Sequence, residues 1–155
     1  MMQKSLFRDL LTGGLNHLPL RAEIGLTILR LGAGLGLALG HGFRKMPPGG
    51  DFIDGIGEMG FPVPFIFAWL AALSESIGGL LLAIGLFTRP AALFIVITMG
   101  VAAFVQHAND PLFIPDAGPQ EGSMQLALMF LIIALAFLLA GSGRFSIDHF
   151  LRRPR

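Results

Sequence analysis

Four stretches of the chain are almost uninterruptedly apolar, near Ile24 to Gly42, Pro64 to Phe87, Ala91 to His107 and Met124 to Gly141. Each reaches or approaches the about 18 to 20 residues with which a helix crosses a hydrocarbon core. The pattern predicts an all-α protein, a four-transmembrane-helix bundle over residues 23–143. Before it, residues 1–22 read as an amphipathic segment, with Leu6, Leu10 and Leu11 recurring near helical spacing opposite Lys4 and Arg8. After it, residues 144–155 form a basic amphipathic tail.

The connections differ in kind. Pro47, Pro48, Gly49 and Gly50 stop the first span, and from Asp51 to Gly60 the residues Phe52, Ile56 and Met59 share one side against Asp51, Asp54 and Glu58. This predicts a short helix at the membrane interface. Thr88, Arg89 and Pro90 leave room only for a tight turn, so spans two and three are antiparallel neighbours. The loop from Ala108 to Ser123 holds Pro111, Pro115, Pro119 and three acids, and no lysine or arginine. Within the first span Gly32, Gly36 and Gly40 recur every fourth residue, a face that lets another helix approach and that suits a homodimer.

Composition narrows the class. Of 155 residues 54% are hydrophobic and 14% charged, with a mean hydropathy of +0.72, too little polar surface for a water-soluble monomer. The partner is therefore the lipid bilayer. With no cysteine, the chain offers no disulfide framework, thiolate metal site or thiol relay. Its net charge of +1 is spread over separate loops without a basic stripe, which argues against nucleic acid. No cleavage signature follows the N-terminal segment, which is expected to be retained.

Basic residues set the expected orientation. Lys4, Arg8, Arg21, Arg89, Arg144, Arg152, Arg153 and Arg155 fall on one side, eight against Arg44 and Lys45 on the other. Both termini are expected in the cytoplasm, with the short interface helix and the acidic loop on the outer side, the periplasm in a bacterium.

Two charges lie inside spans, where insertion of either alone costs at least about 2.5 to 3.5 kcal/mol. Arg30 and Glu75 fall at similar depths in antiparallel helices, so a salt bridge between them is expected. Two readings stand for the pair: a fastener between helices, or part of a polar cavity that serves a proton or a ligand head group. His41 follows Arg30 by eleven residues, which places it about 20° from the same helical face. His41, His107 and Gln125 share a level near the outer ends of their spans, with Arg44 and Lys45 just above. Two imidazoles and an amide suit the carbonyl of a quinone; the plainer alternative has each histidine anchoring a helix end among head groups. A metal site is not expected, for want of a third histidine at that level or of any cysteine.

At these residues a resemblance emerges. Leu29-Arg30-Leu31, His41-Gly42 with Lys45, Glu75 followed by Gly78-Gly79, Gly85-Leu86-Phe87-Thr88-Arg89, and the run from Gly141-Ser142-Gly143-Arg144 to Ile147-Asp148 together resemble the DoxX family of small four-helix membrane proteins. The similarity covers residues 24–152, and its force lies in the order and spacing of the pieces. It implies a bacterial inner-membrane location and association with redox enzymes, the related DoxD and DoxA subunits belonging to a thiosulfate:quinone oxidoreductase. On this resemblance Arg30, His41, Lys45, Glu75 and Arg89 fall on recurrent polar positions. Many similar sequences carry a glutamate ahead of the closing Gly-x-Gly-Arg segment where Gln125 stands here, which weakens a proton-donor role and leaves ligand binding intact.

The leading expectation is a membrane subunit of a redox system that binds and orients a quinone or similar lipophilic carrier through His41, His107, Gln125, Arg30 and Glu75, electrons coming from a partner oxidoreductase. Whether the chain is itself an enzyme is left open. A scaffold that recruits a soluble redox enzyme is the alternative; a small-solute transporter fits less well, four spans without a repeat leaving little material for alternating access.

Overall fold

The computed structural model describes residues 19–112 and 124–152. Helix α1 (Leu20–Leu37) continues through a π-helical turn (Ala38–Gly42) and a 3-10 turn (Phe43–Lys45). After the Pro-Pro-Gly-Gly break comes α2 (Gly50–Glu58), then α3 (Pro64–Leu73), a second π turn (Ser74–Gly78) and α4 (Gly79–Ile84). Helix α5 (Thr88–Val101) runs into a third π turn (Ala102–Gln106), and α6 (Met124–Ala140) and α7 (Ile147–Arg152) follow. Every regular element described is helical. Three continuous helices, Leu20–Lys45, Pro64–Ile84 and Thr88–Gln106, are long and apolar enough to cross a membrane, and Met124–Ala140 is a shorter apolar helix.

The bundle is built with small residues inside and large ones outside. Ala38, Ala68, Ala72, Ala83, Ala92 and Ala103 are fully buried, whereas Leu139 is 70% exposed, Ile28 65% and Ile132 64%. In water that distribution would leave the hydrophobic effect unused; against lipid chains it is the expected one, because backbones approach closely and large side chains meet the acyl region. Leu37, Leu82, Ile95, Met99, Ala134 and Phe137 fill the centre.

Glycine sets the register of the first two spans. A Cβ at Gly34 would stand 2.6 Å from the Gly79 carbonyl oxygen, and one at Gly42 would meet the Ser76 backbone nitrogen at 2.3 Å. The close face thus runs through Gly34, Ala38 and Gly42, not through Gly32, Gly36 and Gly40. At Gly32 and Gly40 a Cβ would meet nothing within 4 Å. The reason is helical phase: Gly34 is one turn beyond Arg30, which is 2% exposed and faces inward, whereas Gly32, Gly36 and Gly40 lie about 200 to 280° around the helix from Arg30.

Other boundaries shift for local reasons. The first span begins at Leu20 and ends at Lys45, wider than 24–42; the amphipathic reading of the N-terminal segment lies, as far as residue 18, outside the described residues, as do residues 113–123 of the acidic loop and 153–155 of the tail. Thr88, Arg89 and Pro90 are the first turn of α5, a place where proline's missing N–H costs nothing, and the reversal is made by Gly85 (φ 69°) and Phe87 (φ 47°). Helix α2 matches its expectation, Ile56 buried and Asp51, Asp54 and Glu58 exposed.

At one end of the bundle the ends of α1, α4, α5 and α6 are tied by a polar clasp. The Arg30 guanidinium donates to the carbonyl oxygens of Ala83 (3.3 Å), Phe145 (2.7 Å) and Ser142. Asp148, fully buried, accepts from the backbone N–H of Phe87 (2.9 Å) and Thr88 (3.0 Å) and from the Thr88 hydroxyl (2.8 Å). It caps α5 from sixty residues away. Glu23, also fully buried, accepts from the Arg144 N–H at 2.8 Å.

Candidate functional site

The expected Arg30–Glu75 salt bridge does not form. Gly42 lies against Glu75 and Ser76, and Gly34 against Gly79 and Ala83, so Glu75 is level with residue 42 and Arg30 with the far end of α4. Twelve residues of helix, about 18 Å, separate the two charges along the first span. Arg30 is satisfied by carbonyl oxygens within the clasp. Glu75, whose side chain is 2% exposed, takes Lys45 instead: Nζ donates to Oε1 at 2.6 Å and to Oε2 at 2.8 Å. Sequence reasoning placed Lys45 in the loop above the span; the π turn and the 3-10 turn carry the helix on and bring it back over Glu75.

This ion pair sits where three helices are locally underwound. The π turns Ala38–Gly42, Ser74–Gly78 and Ala102–Gln106 carry His41, Glu75 and Gln106. All three residues line one chamber of about 390 Å³, together with Lys45, His107 and the edge of Phe130, against which the His41 ring packs at 6.0 Å. A π turn widens the helix and re-aims side chains, and such turns gather at functional positions. Three at one level, each contributing a polar side chain to the same space, are difficult to ascribe to packing alone. His107 closes the third span; its Nδ1 lies 2.6 Å from Asp110 Oδ2. With Nδ1 engaged by this carboxylate, Nε2 is the nitrogen left for other partners.

Of the five residues expected from the sequence, the structure brings His41, His107 and Glu75 to this chamber. Arg30 belongs to the clasp at the other end of the bundle. Gln125 is exposed at the start of α6, beside Leu126 and Ala127, which line the chamber; the amide that lines it is Gln106. Lys45 and Gln106 were the residues missed as ligand-binding candidates. Gln106 was within reach of sequence reasoning, as a polar residue inside the third span one position before His107.

On the other side of the ion pair lies a second space of about 300 Å³, between α2, α3 and α5, lined by Phe52, Phe61, Phe67, Phe94 and other apolar residues. Lys45, Glu75, Ala102 and Gln106 border both spaces. Lys45 Nζ also stands 5.3 Å from the centroid of the Phe52 ring, within cation–π range.

Comparison with known proteins agrees with the architecture. The DoxX family model matches residues 25–108, more than half of the chain. An uncharacterized protein of Haemophilus influenzae is 34% identical over 97 residues, covering 61% of this chain and 66% of that protein. The inner membrane protein YphA of Escherichia coli is 33% identical over 113 residues, 69% of this chain and 76% of its own length. No solved structure gives a significant match. With helices of membrane-spanning length, an inside-out distribution of side-chain size and the family match across the first three spans, this multi-pass membrane chain belongs to the DoxX family.

Proposed function

We propose that the protein binds and orients the head group of a quinone or similar neutral lipophilic carrier in the chamber beside Lys45 and Glu75, as the membrane subunit of a bacterial redox system. The observation that carries this reading is the convergence of His41, Glu75 and Gln106, each on a π turn, upon one chamber. Its volume lies in the range of about 300 to 1,000 Å³ usual for small-molecule sites. Lys45 and Glu75 neutralise each other, which favours a neutral ligand over an ion. An ammonium has three N–H donors; two go to Glu75, leaving a third for a ligand oxygen. His41 and Gln106 supply further polar groups for a second oxygen. The quinone would bring the electron-accepting chemistry; this chain's residues bind it, fix its ring and keep bulk water from it, and a partner oxidoreductase delivers electrons.

In this reading α6 is the fourth span, its 17 residues reaching about 25 Å. The clasp end, with Arg21, Arg89, Arg144 and Arg152, faces the cytoplasm of a bacterial inner membrane, and the end with Arg44, Lys45 and α2 faces the periplasm. A homodimer would use the face of Gly32 and Gly40, which the described residues leave open.

Lipid extraction of protein purified in mild detergent, followed by mass spectrometry, tests for a co-purifying quinone. Titration with a short-chain quinone, read by fluorescence of the single Trp69, tests the site. One hydrogen bond between neutral groups is worth about 0.5 to 1.5 kcal/mol net, so His41→Ala is expected to weaken binding about 2- to 13-fold with the fold retained. Unchanged affinity in His41→Ala, His107→Gln and Lys45→Met would remove this chamber as the site. A wild type that binds no quinone but retains a soluble partner would put the scaffold in its place.

A further inference from the structure

The second, apolar space has no part in holding a head group, yet it shares a wall with the chamber that does. Its boundaries differ on two sides. Toward the loop end it is roofed by α2, which turns Phe52, Ile56 and Met59 inward and Asp51, Asp54 and Glu58 outward, and whose close seat on α3 is marked at Gly57, where a Cβ would stand 3.2 Å from Pro64 Cγ. Toward the side of the bundle its rim is made by Leu70, Phe94 and Ile97, which are 50%, 56% and 56% exposed on the second and third spans. Those three side chains point where acyl chains lie. On that side the space borders the apolar surface of the bundle, and toward the loop end α2 lies over it. Lys45, Glu75, Ala102 and Gln106 stand between it and the polar chamber.

From this arrangement we infer that the two spaces form one bipartite site, in which the apolar chamber between α2, α3 and α5 takes the first segment of the alkyl or polyisoprenoid tail of the ligand, and that the ligand enters sideways from the membrane between the second and third spans. The inference rests on the proposed reading for the head group and adds the tail, its location and the route. A tail moving from lipid into this chamber exchanges one apolar environment for another, so tail length adds little affinity. What the chamber confers is position: the tail fixes which way the head group enters the polar side.

The test is photolabelling of the full-length protein in nanodiscs with a quinone carrying a diazirine on the tail carbons nearest the ring. Labelled peptides are expected to fall in residues 52–71 and 94–102. Ala71→Phe, which fills the chamber from α3, is expected to lower that labelling about tenfold, while a short-chain quinone still quenches Trp69. Thr98→Phe fills it from α5 and serves where Ala71→Phe does not assemble. Labelling confined to the outward faces of α1 or α6, or labelling unaffected by both filled variants, overturns the bipartite site. If no quinone binds but a diazirine-bearing long-chain alcohol labels the same peptides and the filled variants abolish it, the head-group reading fails and the tail chamber stands.

Discussion

Lys45 and Glu75 show how far a buried charge can be read before its partner is known. The cost of an unpaired glutamate in a span demands a cation at its own depth, and two were in reach of the first helix. Arg30 lies near the middle of the first span whether that span is 24–42 or Leu20–Lys45; what separates it from Glu75 is the axial offset of the two helices, fixed where Gly42 meets Ser76. A mutant cycle separates the pairs. Lys45→Met leaves the Glu75 carboxylate buried without a counter-charge and is expected to destabilise the protein by about 3 kcal/mol, with part recovered when Glu75→Gln is added. Arg30→Gln and Glu75→Gln, with no shared partner, are expected to add within about 0.5 kcal/mol. Thermal unfolding in one detergent, followed by size-exclusion chromatography, measures the wild type and the five variants; coupling between Arg30 and Glu75 in place of Lys45 and Glu75 would contradict the structure. The clasp was less legible. Asp148 sits in a tail whose basic residues dominate its pattern, and nothing in its spacing announces that it caps a helix starting sixty residues earlier.

At the level of elements, the apolar runs located the helices well because membrane-spanning length is a coarse requirement that sequence satisfies openly. The π turns were invisible to the same reasoning. An i to i+5 turn changes neither composition nor mean periodicity over a span; it shifts the phase of everything beyond it, and that shift decides which side chains face one chamber. The phase is testable. Deleting Ile77, an exposed residue of the second π turn, is expected to return that segment to α-helix; because four α residues turn the chain about as far as five π residues, the flanking helices stay in phase while Glu75 is re-aimed within the turn, so quinone-dependent quenching of Trp69 is lost and far-UV circular dichroism stays within error. Retained binding in the deletion would mean that the π turn has no part in aiming Glu75.

For the molecule as a whole, orientation is the property on which the most depends. Ser146 is a poor reporter of it, being 9% exposed, with a hydroxyl that donates to the Gly143 carbonyl and accepts from the His149 N–H. Phe150, 72% exposed on α7, and Asn109, exposed beyond the third span, are better placed. With both termini in the cytoplasm, a cysteine at Asn109 is expected to react with a membrane-impermeant maleimide in intact cells, and one at Phe150 only after lysis. The reverse pattern would invert the protein and put the chamber beside Lys45 and Glu75 at the inner leaflet.

The clasp also bears on the order in which the chain is made. Arg30 enters the membrane early in synthesis, while two of the three carbonyl groups that receive its guanidinium, those of Ser142 and Phe145, are more than a hundred residues away. Ala83 is the first acceptor to arrive, with the second span. Until the last apolar helix is in place, the acceptors of this cation are incomplete, and the residues that follow that helix are the ones that complete them.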